Sequence, residues 1–355
     1  MSAGSSRIRV LVVEDSPASR ELLTRLLNAD PAIEVVGVAA DGEAAVAAAQ
    51  RLRPDVITMD IHLPKLDGFA ATRRIMEQCP TRIVMVTATS IPQEVAASFH
   101  ALESGALTVI ATPPGPGHPL FAAAKDELLR TVKLMAEVKV VKRWAPSGDA
   151  SAFRAPAPEP KLDEPPAPGQ VRLVAIGAST GGPLVLQEIL SQLRPALRAP
   201  IVIVQHISIG FAPGMAQWLA QTTGYEVRVA QPSECMQPGV AYVAPDGMQL
   251  RVRSSGHIAL TEEPPEHGFR PSVSCLFRSA AAEYGAHAVG VLLTGMGRDG
   301  ASALNTLRQA GALTLVQDSA TAVINGMPGE AVRLGAATHV LAPQHIASTL
   351  QRWVR

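Results

Sequence analysis

The sequence predicts an α/β protein built from two doubly wound parallel sheets. Short apolar, β-branched runs alternate with helix-like stretches in both halves of the chain. This pattern is typical of parallel sheets that are covered by helices on both faces. The length of 355 residues exceeds that of one ordinary domain, and a single proline-rich segment interrupts the pattern. We therefore expect one domain at 8–144, a linker at 145–169 and a second domain at 170–355.

Five strand-like runs define the first domain. Each run is rich in Val, Ile or Leu, and such runs favour buried strands. A last helix is expected to begin near Pro119 and to continue towards residue 141, since proline suits the first turn of a helix. The expected strands are 10–13, 33–39, 56–59, 83–87 and 107–111, and helices are expected between them at 18–28 and 43–51.

Proline dominates the segment that follows. Seven prolines lie among Ala, Ser and Glu between residues 145 and 170, and a segment of this composition cannot bury a core. It therefore predicts an extended, semi-rigid linker. Beyond it, buried strands are expected at 171–176, 201–204 and 289–293, each followed by a helix-like stretch.

The composition excludes several functional classes. The formal net charge is zero, whereas a nucleic-acid-binding surface usually carries a basic excess, so no nucleic-acid partner is expected. Cys79, Cys235 and Cys275 are far apart in sequence, which argues against a zinc site or disulfide framework and fits a reducing compartment. Residues 1–9 lack the apolar core of a signal peptide, and no apolar run approaches the roughly 20 residues that span a bilayer. We expect a cytoplasmic protein without membrane insertion.

Acidic residues follow two strands of the first domain. Glu14 and Asp15 come after the first strand and Asp60 after the third, so all three are expected at the carboxyl edge of the sheet. Clustered carboxylates suit Mg²⁺. Thr87, which closes the fourth strand, is placed to donate a hydrogen bond to the oxygens of a phosphoryl group carried by Asp60. The alternative is that these carboxylates only cap the following helices.

Two motifs of the first domain resemble those of response-regulator receiver domains. They are residues 11–16 (LVVEDS) and 57–68 (ITMDIHLPKLDG). The resemblance implies a flavodoxin-like fold. It implies that Asp60 is phosphorylated and that a histidine kinase is the source of the phosphoryl group. It also implies that Glu14, Asp15 and Asp60 bind Mg²⁺ and that Thr87 is the switch hydroxyl.

Two positions of the first domain depart from the receiver pattern. Thr112 stands where receivers usually carry a lysine that pairs with the phosphoryl group, and Val109 stands where an aromatic switch residue is common. A hydroxyl supplies a hydrogen bond but no positive charge. We therefore expect phosphorylation of Asp60 to be coupled only weakly to the output of the protein.

Three residues at strand ends of the second domain suggest nucleophilic catalysis. Ser179, His206 and Asp299 follow the strands expected at 171–176, 201–204 and 289–293, and loops at the carboxyl ends of parallel strands gather in one crevice. A serine, a base and an orienting acid are the groups that an activated serine nucleophile needs.

Other interpretations of the same segments remain open from the residues alone. The glycine-rich turn around Ser179 does not match the G-x-G-x-x-G of dinucleotide sites. It has the spacing of a nucleophile elbow, but the Ser–His–Asp order is not that of α/β-hydrolases. His206 could be a structural histidine, and Asp299 could be a helix cap in a glycine-rich turn.

The second domain resembles the chemotaxis protein-glutamate methylesterases, the CheB family, across most of its length. The motifs are 175–183 (AIGASTGGP), 204–206 (VQH) and 293–300 (LTGMGRDG), supported by 242–245 (YVAP), 270–273 (RPSV) and 326–328 (GMP). The resemblance implies a Rossmann-like catalytic domain with Ser179 as nucleophile, His206 as base and Asp299 as orienting acid. It further implies that the Met296 amide contributes to an oxyanion hole and that Thr180 shapes the site.

The resemblance also implies the substrate and its partners. The expected reaction is hydrolysis of glutamyl methyl esters on a chemoreceptor, without a cofactor for the hydrolysis, and deamidation of receptor glutamines is a second expected activity. A non-enzymatic signalling adaptor with a degenerate receiver is the alternative. Ser274 stands where the family usually has Asp, and Gln249 where histidine is common. Neither residue is expected to contact Ser179, His206 or Asp299.

Overall fold

The structure is a computed structural model whose described residues form two compact units. The linker predicted at 145–169, the end of the helix expected to reach 141 and the boundary at 144 lie outside the described residues. The structure describes residues 7–88, 91–138, 170–193 and 197–354.

The first unit contains a five-stranded parallel sheet in the order β2-β1-β3-β4-β5. This is the flavodoxin-like order, and it confirms the predicted fold class. The strands are β1 (Ile8–Val13), β2 (Ile33–Ala39), β3 (Val56–Met59), β4 (Arg82–Thr87) and β5 (Thr108–Ala111). The helices are α1 (Pro17–Asn28), α2 (Gly42–Leu52), α3 (Gly68–Gln78), α4 (Pro92–Glu103) and α5 (Phe121–Glu137).

Side-chain caps fix where the helices of this unit begin. The side chains of Ser16, Asp41 and Asp67 accept hydrogen bonds from the amide nitrogens three residues further on, at the start of α1, α2 and α3. Such caps satisfy amides that have no partner within the helix. Because each strand is short and each helix starts soon after it, the residues between them lie at the carboxyl edge of the sheet.

The second unit contains a seven-stranded parallel sheet in the order β14-β13-β12-β6-β7-β9-β8. The strands are β6 (Leu173–Ala178), β7 (Ile201–Gln205), β8 (Glu226–Val229), β9 (Val240–Val243), β12 (Ala288–Leu292), β13 (Leu313–Gln317) and β14 (His339–Leu341). The sequence did not predict a separate antiparallel ribbon, which is formed by β10 (Gln249–Val252) and β11 (Ile258–Thr261). The strand β10 (QLRV) alternates polar and apolar residues, so it lacks the continuous apolar run that marked the predicted strands.

Helices cover the larger sheet, and its central strands are buried. Every residue of β6, β7 and β12 is buried. The chain leaves β6 towards β7 on one side and later returns to β12 on the other, so the carboxyl end of β6 is a topological switch point, where open α/β sheets bind ligands.

No helix in the described part of the chain is long and apolar enough to cross a bilayer. The helices are α6 (Gly182–Gln192), α7 (Ala212–Thr223), α8 (Val273–Glu283), α9 (Ala301–Gln309), α10 (Met327–Arg333) and α11 (Pro343–Trp353).

Glycine in β6 lets the first turn of α8 approach the sheet closely. A Cβ atom at Gly177 would lie 2.1 Å from Cγ1 of Val273, which is fully buried at the start of α8. Real Cβ atoms do not make contacts this short, so a side chain at 177 would force α8 away from β6.

We expect Gly177→Ala to destabilise the second unit by about 1–3 kcal/mol, the usual cost of overpacking a core. The cost should be much smaller in a Val273→Ala background, which removes the atoms in the way. Urea unfolding of the four proteins, followed by the fluorescence of the buried Trp218 and Trp353, measures this coupling. Equal costs in both backgrounds would show that the Val273 contact is not the constraint.

Candidate active site

Ser179 and His206 lie opposite each other at the ends of two neighbouring strands. The register of β6 and β7 pairs Ala178 with Gln205, so the next residues of the two strands face each other. The His206 amide donates to the carbonyl of Ala178 at 3.0 Å, and the Ser179 amide donates to the carbonyl of Thr294 at 3.0 Å. Both residues are therefore held by backbone bonds at the switch point of the sheet.

The imidazole of His206 contacts the carboxylate of Asp299. Nε2 of His206 lies 2.9 Å from Oδ2 of Asp299, and the side chains are only 5% and 0% exposed. Nδ1 of His206 is also buried and has no hydrogen-bond partner among the described residues. Nε2 of the ring therefore contacts the carboxylate, and Nδ1 remains available for a hydrogen bond to another group.

The first turn of α8 surrounds the Asp299 carboxylate with donors. Oδ1 accepts from the Ser272 hydroxyl at 2.9 Å, the Ser274 amide at 3.0 Å and the Ser274 hydroxyl at 2.5 Å, while Oδ2 accepts from the Val273 amide at 2.8 Å. Amides at a helix N-terminus favour a negative charge. Burial alone would raise the pKa of Asp299, but the bonds from His206, Ser274 and Val273 outweigh it and lower the pKa from 3.8 to about 2.

The ionised carboxylate determines which nitrogen of His206 carries the proton. An ionised carboxylate only accepts hydrogen bonds, so Nε2 of His206 must be the donor in their contact. In the neutral ring the other nitrogen, Nδ1, then has no hydrogen and presents its lone pair. Nδ1 is therefore the atom of His206 that can accept a proton.

Ser274 contacts the candidate catalytic carboxylate, so the expectation that it would not is wrong. Its amide and hydroxyl both donate to Asp299, and its oxygen also accepts from the Gly300 amide at 2.8 Å. Ser274 is brought there because it lies two residues after the Ser272 cap, in the first turn of α8. Gln249 contacts a neighbour of the carboxylate instead. Its Oε1 accepts from the amide of Ser272 at 2.8 Å, and the Ser272 hydroxyl donates to Asp299.

Phe269 covers one face of the His206 ring. The ring centroids are 3.7 Å apart and the planes differ by 2°. The Phe269 loop is closed by reciprocal backbone bonds with Glu266, and the Phe269 carbonyl accepts from Nε2 of Gln249 at 3.3 Å. The stacked ring restricts the imidazole to the plane in which it meets Asp299.

The loops around Ser179 require residues without side chains. Gly181 has a φ of +80°, and a Cβ atom at Gly295 would lie 2.6 Å from Cβ of Ser179. Met296 follows Gly295 directly and is 38% exposed. The Thr180 carbonyl accepts from the Thr294 hydroxyl at 3.0 Å, which ties the turn after Ser179 to the loop that leads to Met296.

Three carboxylates also gather at the carboxyl edge of the first sheet. Oxygens of Glu14, Asp15 and Asp60 lie within 4.8 Å of one another. Burial and then the negative charge of Asp60 raise the pKa of Glu14 from 4.5 to about 7, and burial is the main cause of a raised pKa at Asp60. A set of oxygen ligands whose charges repel each other fits a hard divalent cation such as Mg²⁺.

Hydroxyl residues, rather than a lysine, stand at the carboxyl ends of β4 and β5, where Thr87 closes β4 and Thr112 directly follows β5. Oγ1 of Thr87 is buried and has no hydrogen-bond partner among the described residues. The Thr112 amide donates to the Thr87 carbonyl at 2.8 Å, so Thr112 directly adjoins Thr87. Two nearby cations in the sequence are engaged elsewhere, since Lys65 pairs with Asp41 at 2.7 Å and Nε of Arg82 donates to the Val138 carbonyl.

One arginine does contact the acidic edge. Nη1 of Arg20 donates to the carbonyl oxygens of Glu14 at 2.7 Å and Asp15 at 3.1 Å. Its positive charge acts to lower the pKa of Glu14, although less strongly than burial raises it. Arg20 therefore offsets part of the negative charge of the cluster from the α1 side.

The sequence pointed to the candidate catalytic residues but not to the residues that contact them. Strand ends identified Ser179, His206 and Asp299, and the structure brings these segments to one edge. Ser272 and Ser274 had one available signal, because serines at a helix start suit capping. Gln205 belongs to the 204–206 motif, but nothing in the sequence indicated its contacts or those of Phe269, since these contacts depend on how distant segments pack.

Both halves of the chain match known protein families. The family described as CheB methylesterase matches residues 174–350, and the response regulator receiver domain matches residues 10–117. Among solved structures, the catalytic domain of the Thermotoga maritima CheB methylesterase is 33% identical, covers 51% of this chain and 97% of its own, and superposes with a TM-score of 0.50.

Curated relatives match over nearly the full length. A protein-glutamate methylesterase/protein-glutamine glutaminase of Geobacter metallireducens is 51% identical over 97% of this chain and 98% of its own. One from Nitrosospira multiformis is 50% identical over 98% of this chain and 97% of its own. The chain therefore belongs to the CheB methylesterase family, with a response-regulator receiver domain ahead of the methylesterase domain.

Proposed function

We propose that this protein is a serine hydrolase that removes methyl esters from glutamate side chains of a chemoreceptor under the control of phosphorylation. The observation that carries the proposal is the available Nδ1 of His206, whose ring is fixed by Asp299 and lies at the strand end opposite Ser179. The names of the relatives, five of which are 44–51% identical to this chain, supply the substrate class.

The proposed chemistry uses an acyl-enzyme. Nδ1 of His206 takes the proton of Ser179 as Oγ attacks the ester carbonyl, and the imidazolium returns that proton to the methoxide, which leaves as methanol. Water then attacks the acyl-enzyme with His206 as base, and the glutamate and Ser179 are restored. Asp299 stabilises the imidazolium in both steps.

Backbone amides are proposed to stabilise the oxyanion. The Met296 amide follows Gly295, which packs against Ser179, and α6 begins three residues after Ser179 with its positive dipole end towards the site. Thr180 shapes the same turn. Attack on a glutamine amide would follow the same course with ammonia as the leaving group, which makes deamidation the second proposed activity. No cofactor takes part in either hydrolysis.

The first unit is proposed to control the second. Asp60 would accept a phosphoryl group from a histidine kinase, with Thr87 donating to its oxygens and with Glu14, Asp15 and Asp60 holding Mg²⁺. Bound Mg²⁺ would screen the negative charges of the cluster and of the phosphoryl group. We place the receiver at 8–144, the linker at 145–169 and the catalytic domain at 170–355, in a cytoplasmic protein with reduced Cys79, Cys235 and Cys275.

Substitution of the nucleophile tests the central role. We expect Ser179→Ala to reduce methanol release from a methylated receptor by about 1,000-fold or more, because loss of a triad member costs several orders of magnitude. Ser348→Ala, at an exposed serine of α11, is the matched control and should keep full activity. Methanol release from Ser179→Ala at the control's rate would rule out the assignment and favour the adaptor alternative.

The acid stability of the second unit should depend on the Ser274 hydroxyl. Since Asp299 has a pKa of about 2 when folded and 3.8 as its ordinary value, its stabilising effect is present above pH 4 and is lost as the pH falls towards 2. Ser274→Ala should raise the folded pKa, lower the free energy of unfolding at pH 7 by about 1–3 kcal/mol and shift acid unfolding to higher pH.

Urea unfolding from pH 2 to 7, followed by the fluorescence of Trp218 and Trp353, measures this effect of Ser274→Ala. Ser348→Ala should leave the pH profile unchanged. The proposed role of Ser274 is contradicted if its variant loses the same stability at pH 2 as at pH 7.

The absence of a lysine at position 112 should weaken the switch. A charged donor is worth about 1 kcal/mol more than a neutral one, which corresponds to about a fivefold difference in population. Acetyl phosphate with Mg²⁺ should therefore label Asp60 but activate ester hydrolysis only modestly, and Thr112→Lys should increase the activation about fivefold.

Asp60→Asn is the control for the switch and should abolish both labelling and activation. Equal activation of the unmodified protein and of Thr112→Lys would show that the hydroxyl is no handicap and would direct attention to Arg20.

A further inference from the structure

We infer that Gln205 is a positioning residue that fixes the distance between the nucleophile and the base. Nε2 of Gln205 donates to the carbonyl oxygen of Ser179 and to the carbonyl oxygen of His206, each at 2.8 Å. One side-chain nitrogen thus bridges the backbones of the two residues that must exchange a proton. The inference rests on the proposed function of Ser179 and His206.

The acceptors determine the orientation of the Gln205 amide. A side-chain amide nitrogen has two hydrogens, and two carbonyl oxygens accept them. The reversed amide would place Oε1 2.8 Å from both carbonyl oxygens without a hydrogen between them. Gln205 is only 4% exposed, so water does not offer substitutes for these bonds.

The bridge also orders the turn that carries Ser179. The Ser179 carbonyl accepts a second bond, from the Gly182 amide at 2.8 Å at the start of α6. Gln205 lies close above this turn, since a Cβ atom at Gly182 would come within 2.1 Å of Oε1 of Gln205. The amide therefore holds the Ser179 turn and the residue after β7 at one separation.

The other end of the amide lowers what the bridge contributes to stability. Oε1 of Gln205 is buried and has no hydrogen-bond partner among the described residues. An unsatisfied buried oxygen destabilises a protein, and an apolar side chain of the same length would avoid that cost. A residue that retains such an oxygen while its nitrogen joins Ser179 to His206 fits a role in catalysis.

The test uses the full-length protein and a fluorophosphonate probe, which reports nucleophile activation without requiring receptor recognition. Gln205→Met keeps the length of the side chain and removes both donors, whereas Gln205→Asn keeps the amide and is too short to reach both carbonyls. Both variants should lose between about 10- and 100-fold in the maximal rate of probe attachment, with the half-saturating probe concentration changed less than about twofold.

Two control variants distinguish a loss of alignment from a loss of stability and from a failure of the proposed function. Thr314 lies in β13, two strands from β6, and its buried hydroxyl donates to the Ala336 carbonyl. Thr314→Val removes this hydrogen bond and should keep the maximal labelling rate despite its lost stability. Ser179→Ala should show no labelling; labelling of that variant would contradict the proposed function. Normal maximal labelling of folded Gln205→Met or Gln205→Asn, with Ser179→Ala silent, would overturn the role of Gln205 alone.

Discussion

A buried, ionised carboxylate is the constraint on which the catalytic unit depends. A charge removed from water must be matched by donors, and Asp299 receives them from the first turn of α8 and from His206. These bonds connect the loop after β12, the start of α8 and the residue after β7. Gly177 permits the approach of α8 to the sheet, because any side chain there would meet Val273.

The two carboxylate sites of the chain solve opposite problems. Asp299 is surrounded by donors, so its pKa is about 2 and it serves as a fixed negative charge beside His206. Glu14 is buried beside Asp60 and Asp15, so burial first and then the negative charge of Asp60 raise its pKa to about 7. The Asp299 carboxylate is matched by donors of the chain itself, whereas the acidic cluster would gain stability from the Mg²⁺ that we propose it holds.

Sequence patterns predicted the first sheet, three of the seven strands of the second and the strand ends where the candidate site residues lie, because these features follow from local rules. Apolar runs located β1 to β5 within about two residues. The ends of β6 and β7 located Ser179 and His206, respectively. The supporting contacts were not predictable in this way. Ser274 lies 25 residues from Asp299 and Gln205 lies 26 from Ser179, and only the packing of α8 and β7 brings them together. The β10–β11 ribbon was missed because β10 has no continuous apolar run.

The tautomer of His206 tests the account most directly, because the proposed base is Nδ1 only if Asp299 holds the proton on Nε2. Long-range ¹H–¹⁵N NMR of the full-length protein with ¹⁵N-labelled histidine, assigned by comparison with His206→Gln, distinguishes the two nitrogens at a pH where the ring is neutral. The account predicts a protonated Nε2 and an unprotonated Nδ1. A proton on Nδ1 would contradict it, because the nitrogen available to Ser179 could then not act as a base.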